Sequence, residues 1–225
     1  NEILGGIGHG IGIQGSDVPE FLSKIKLRGN QISGMGGAGI YIHETAFVAN
    51  LDIENNRVFD CANQPQIAAI TTAQGGIEIA GAIFCRLSNN RINGCGNVNL
   101  KASPFAINLE TIFDLTLSDN SIQYNISGGV RLANVFGIVS VNSNNVSRNQ
   151  GIGFLWENGS EKDLLRPRSA ETDGSSTGAE SEISTRFVVQ AISPLITLQQ
   201  YAAANKTPVP RDITKVQASI QNNQF

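Results

Sequence analysis

The feature that most constrains the fold is a short pattern that keeps returning: apolar, any, apolar, two residues, Asn, any, apolar. It runs through Ile25, Leu27, Asn30 and Ile32, then through Leu51, Ile53, Asn56 and Val58. It returns at Cys85, Leu87, Asn90 and Ile92, at Leu115, Leu117, Asn120 and Ile122, and at Val139, Val141, Asn144 and Val146. Ala218, Ile220, Asn223 and Phe225 close the series, and the chain opens inside a copy at Asn1. A second pattern alternates with it: a small residue, then apolar, any, apolar. Its copies are Ile11/Ile13, Ile40/Ile42, Ile77/Ile79, Ile107/Leu109, Val130/Leu132 and Ile152/Phe154. Apolar side chains at i and i+2 share one face of a strand. Each repeat therefore holds two short strands that bury one side.

The spacers between motifs vary while the motifs do not. Asn120 and Asn144 are 24 residues apart, whereas Asn144 and Asn223 are 79 apart. Strands held in register with turns of variable length are the mark of stacked coils, where insertions map to loops. Two-residue Asn-Gly turns of the hairpin kind do not join the strands, and helices of ten residues do not fit between them. Composition agrees. Gly is 24 of 225 residues and charged residues are 16%, a balance suited to strands and tight turns. A net charge of −3 gives no basis for a nucleic-acid surface. No apolar run approaches the ~18 residues of a membrane span, and three cysteines do not make a disulfide framework.

These motifs resemble the right-handed parallel β-helix repeat of the pectate-lyase-like superfamily, over residues 1–156 and 213–225. The resemblance implies an all-β solenoid of about six coils in which the recurrent Asn stacks inside a turn as a ladder. Asn30, Asn56, Asn90, Asn120 and Asn144 would be its rungs, with amide donors and acceptors spent on turn backbone or on the next Asn. Ile40, Ile77, Ile107, Val130 and Ile152 would form one aliphatic column, and Ile42, Ile79, Leu109, Leu132 and Phe154 another. Cys61 and Cys95 each follow a ladder Asn by five residues and should stack, while Cys85 takes a core position. Residues 157–212 break the rhythm. They read as an insertion: a mobile acidic loop, a strand near 186–192, and a short helix opening at Ser193-Pro194. The chain begins and stops close to ladder residues, which points to further coils of the same polypeptide, or partner chains, at open ends.

Function is less legible. Gly8-His9-Gly10 resembles the Gly-His-Gly stretch of polygalacturonase-type glycoside hydrolases. That family sets aspartates beside the His, and glycoside hydrolysis needs two carboxylates facing the bond; no such pair adjoins His9 in the sequence. The Arg-Ile-Lys segment that follows in that family is replaced by Tyr41-Ile42-His43. Lyase chemistry wants a calcium-binding carboxylate cluster and a basic residue, and only Glu78 and Glu110 come near. A stacked outer line suits binding better. Gly12, Tyr41, Glu78, Asn108, Arg131 and Gly153 should align between the buried pairs, flanked by His43 and Glu110. With Trp156, this strip could stack on and hydrogen-bond a polysaccharide; a solvated face is the plainer alternative.

The sequence thus leads to a non-catalytic module of a larger secreted or surface protein, presenting Tyr41, His43, Glu78, Asn108, Glu110, Arg131 and Trp156 to carbohydrate or protein. No cofactor or metal is expected. The alternatives are a fragment of a polysaccharide hydrolase or lyase, and a structural shaft as in fibres or tailspikes.

Overall fold

The computed structural model describes residues 1–15, 20–43, 45–63, 75–96, 105–157 and 216–225. The expected loop, strand and helix of the insertion lie outside them. Within the described residues sixteen strands follow in order: β1 (Glu2–Gly6), β2 (Ile11–Ile13), β3 (Glu20–Arg28), β4 (Gln31–Met35), β5 (Ile40–Ile42), β6 (Ala46–Glu54), β7 (Arg57–Phe59) and β8 (Ile77–Ile79). Then come β9 (Ala82–Ser88), β10 (Arg91–Asn93), β11 (Phe105–Ser118), β12 (Ser121–Gln123), β13 (Gly128–Asn142), β14 (Asn145–Ser147), β15 (Phe154–Glu157) and β16 (Val216–Gln221). Among the described residues every strand pairing is parallel, and partners come from successive coils. One face stacks β1, β4, β7, β10, β12 and β14. The other strands form a second sheet that bends, because β11 and β13 run through two faces without a break. This is an all-β, right-handed parallel β-helix, as the repeat requires.

The interior explains why the pattern is needed. Ile40, Ile77, Ile107 and Val130 align in register, as do Ile42, Ile79, Leu109 and Leu132, and all are essentially inaccessible to water. Opposite them, Leu51, Cys85, Leu115 and Val139 form a matching column. Burial of each such aliphatic side chain is worth about 1.5–3 kcal/mol. Cys85 is part of this column, and desolvation there holds its thiol protonated, far above the usual range.

The Asn ladder is continuous from Asn1 to Asn223. Each rung's Oδ1 accepts from the preceding Asn: Asn30 Nδ2 donates to Asn56 at 2.9 Å, Asn56 to Asn90 at 3.0 Å, Asn90 to Asn120 at 3.0 Å, and Asn120 to Asn144 at 2.9 Å. The same oxygens also take the preceding Asn's backbone N–H. The residue before each interior rung sits in the left-handed region, at Asn55, Asn89, Asp119 and Ser143 (φ 55–58°). Short polar residues tolerate that conformation best. The turn is thus written by two adjacent positions, a left-handed corner and then an inward amide.

A second corner repeats this arrangement five residues later, and the Asn repeat alone does not announce it. Asn125 Nδ2 donates to Asn149 Oδ1 at 2.9 Å and to the carbonyl of Ile92 at 3.3 Å, as Asn120 donates to Leu87. In the preceding coils the position belongs to Met35, Cys61 and Cys95. Cys61 and Cys95 are free and buried, and Cys95 Sγ lies 3.9 Å from the carbonyl of Val58, where the amide of a completed rung would donate. The neighbouring Cys95 thiol lowers the pKa of Cys61, while burial raises that of Cys95.

This second corner corrects the last coil. Val130 follows Asn125 by five residues, and Phe154 follows Asn149 by the same step. The register accordingly pairs Phe154 with Val130 and Trp156 with Leu132. Ile152, expected in the core column, is 57% exposed. The sequence offered two overlapping copies of the small-apolar pattern here, and the second amide ladder selects the later one.

Candidate functional site

The strip expected on the outer face forms, except in its last coil. Register aligns Gly12 with Tyr41, Tyr41 with Glu78, Glu78 with Asn108, Asn108 with Arg131, and Arg131 with Leu155. Strand neighbours lie about 4.8 Å apart, so four consecutive rungs present Tyr41, Glu78, Asn108 and Arg131. Each is partly exposed. Leu155, not Gly153, ends the line. Trp156 does not belong to it: its side chain faces inward beside Leu132 and packs against the core. The two-residue shift of the last coil is the reason.

The C-terminal end of the strip is an ion cluster. Arg131 donates from Nε to Glu157 at 2.8 Å, and from Nη1 to Asn108 at 3.1 Å and Glu110 at 3.0 Å. Half-burial works against the guanidinium charge, yet Glu157 and Glu110 outweigh it and raise its pKa. The carboxylates that hold Arg131 are Glu110, two residues beyond Asn108 on β11, and Glu157 on β15. Ion pairing of this kind orders a face. A glycosidic general acid needs the opposite, a carboxyl in apolar surroundings.

The N-terminal end is aromatic. Gly12 lacks a side chain, and the space above Tyr41 is filled by the His9 ring, stacked with centroids 4.3 Å apart. His43 meets Tyr41 edge-on at 5.7 Å. Both imidazoles accept a backbone N–H at Nδ1: Ala38 donates to His9 and Thr45 to His43, each at 3.1 Å. An accepting Nδ1 places the neutral ring's proton on Nε2. Each ring then presents an N–H donor and has committed the lone pair that a metal would use. Burial, then the neighbouring His43, lower the pKa of His9. The part of His9 in the stack follows from the empty Gly12 position.

A further polar cluster escaped the sequence reading. On the face formed by β3, β6 and β9, Asp52 bridges Arg28 and Arg86, the latter at 3.0 Å, and Glu54 pairs with Arg28 at 3.1 Å. These residues lie two and four positions before successive ladder Asn residues, so stacking the repeats on paper would have exposed them. Burial works against the Asp52 carboxylate, but Arg86 and Arg28 prevail and hold it below its ordinary range. No helix among the described residues is long and apolar enough to cross a membrane.

A family model described as a right-handed β-helix region matches residues 1–165. Comparisons with curated proteins and with solved structures return no match.

Proposed function

The chain belongs to the right-handed β-helix family, and from that premise we propose that it is a non-catalytic module of a secreted or surface protein whose outer strip binds carbohydrate. The observation that carries this is the in-register line Tyr41, Glu78, Asn108 and Arg131, capped by the His9–Tyr41–His43 stack. An extended sugar chain needs flat apolar surface for its C–H faces and fixed polar groups for its hydroxyls. Tyr41 supplies the former. Asn108, Arg131 and the two imidazoles supply the latter, already held in place, so little side-chain freedom is lost on binding.

A glycan array tests the proposal, with neutral, amino and acidic polysaccharides probed by the wild-type chain and by Tyr41→Ala. The expected result is binding that Tyr41→Ala weakens by about tenfold or more, the scale of ~1.4 kcal/mol at a central contact. Binding indifferent to Tyr41→Ala, or no binding to any polysaccharide, would remove the carbohydrate reading.

A further inference from the structure

The bond between Ala38 and His9 joins two coils. His9 precedes β2 in the first coil, whereas Ala38 lies in the turn before β5 in the second, and the distance is 3.1 Å. The fit around the ring is close: a Cβ at Gly37 would lie 2.6 Å from His9 Nδ1. The ring is therefore fixed on one edge by a donor and on its face by Tyr41.

We propose that His9, Tyr41 and His43 form an acid-labile clasp, which assembles the aromatic end of the strip while His9 is neutral and releases it when His9 takes a proton. Protonation puts a hydrogen on Nδ1, where the Ala38 N–H already points. Two donors then face each other with no acceptor between them. To relieve this the ring edge must move away from Ala38, and the face that stacks on Tyr41 moves with it. The effect on ligand rests on the function proposed above; the clasp itself rests only on this geometry.

Among the described residues, the titratable groups facing His9 are Tyr41 of β5 and His43 just beyond it, with Glu78 of β8 one rung further along. The turn between β4 and β5 brings only Gly36, Gly37, Ala38 and Gly39, none of them charged. Burial and His43 both disfavour the imidazolium. The sign follows: a histidine whose pKa is lowered on folding stabilises the fold fully above its unfolded value, near ~6.5, and loses that contribution as pH falls below it.

The test uses the whole chain without ligand. Amide hydrogen exchange at Ala38, corrected for its intrinsic pH dependence, is followed by NMR from about pH 7.5 to about pH 5, the range in which histidine titrates. Protection at Ala38 should fall about tenfold or more as His9 titrates. In His9→Asn, whose Oδ1 still accepts but does not titrate, protection should stay level across the range. Protection unchanged in wild type, or falling equally in His9→Asn, overturns the clasp. Should His9→Asn fail to fold, the ring resonances of wild-type His9 decide, and a midpoint at or above ~6.5 overturns it. A glycan followed in parallel separates the two ideas. Binding that persists unchanged while Ala38 opens sinks the gate, and absence of binding at every pH sinks the proposed function while the Ala38 readout still decides the clasp.

Discussion

Replacing Asn120 by Ala is the sharpest test of the ladder as the source of stability. Asn120 Oδ1 accepts both the backbone N–H and the Nδ2 of Asn90, each at 3.0 Å. Its own Nδ2 donates to Leu87 O at 3.0 Å and to Asn144 Oδ1 at 2.9 Å. Two of the four partners keep another bond. Asn90 Nδ2 still reaches Ile53 O, and Asn144 Oδ1 still takes the Asn120 backbone N–H. The other two, the Asn90 N–H and the Leu87 carbonyl, lose this partner inside the solenoid. An unsatisfied buried group costs about 1–3 kcal/mol, so the substitution should cost roughly 4 kcal/mol. Asn1→Ala is the control. Asn1 is exposed and its side chain donates once to the ladder, at 3.0 Å, so the loss should stay below about 1 kcal/mol. Urea unfolding followed by circular dichroism measures both, with the slope checked for loss of two-state behaviour, since a solenoid can unfold from one end. Equal costs for the two substitutions would refute the reasoning.

The second ladder makes a prediction of opposite sign. Cys95→Asn should place an amide donor where the thiol now sits 3.9 Å from Val58 O, and should gain about 0.5–1.5 kcal/mol in the same urea experiment; a loss of that size would mean the site cannot hold an amide. Trp156→Ala should destabilise the last described coil by roughly 2 kcal/mol through lost burial and leave glycan binding unaltered, which calorimetry and the array read separately. Asp52 has a depressed pKa, so its contribution is present above its unfolded value near ~3.9 and is lost as pH falls through the folded one. The melting temperature should therefore drop below about pH 4 in wild type, and the drop should be smaller in Asp52→Asn.

The sequence by itself determined the coil. Apolar pairs at i and i+2, with Asn at a constant offset, leave one economical solution: like residues stack on like, because only a neighbouring coil can bury the pair and satisfy the amide. Asn56, Asn90 and Asn120 are legible for that reason, and so are the columns through Ile77 and Ile107. Tyr41, Glu78, Asn108 and Arg131 fell into line because alternation sends the residue between two buried ones outward. Tertiary structure decided what a constant pattern leaves degenerate. Whether Ile152 or Phe154 meets Val130 is ambiguous in a stretch that satisfies the motif twice, and the Asn125–Asn149 bond resolves it, turning Trp156 inward. Which carboxylate holds Arg131 depends on side-chain reach across rungs rather than on alignment along them. The pairing of His9 with Tyr41 depends on a side chain that Gly12 does not have. Periodicity fixes which face a residue occupies, but a partner is chosen by distances between coils, and those exist only once the chain is wound.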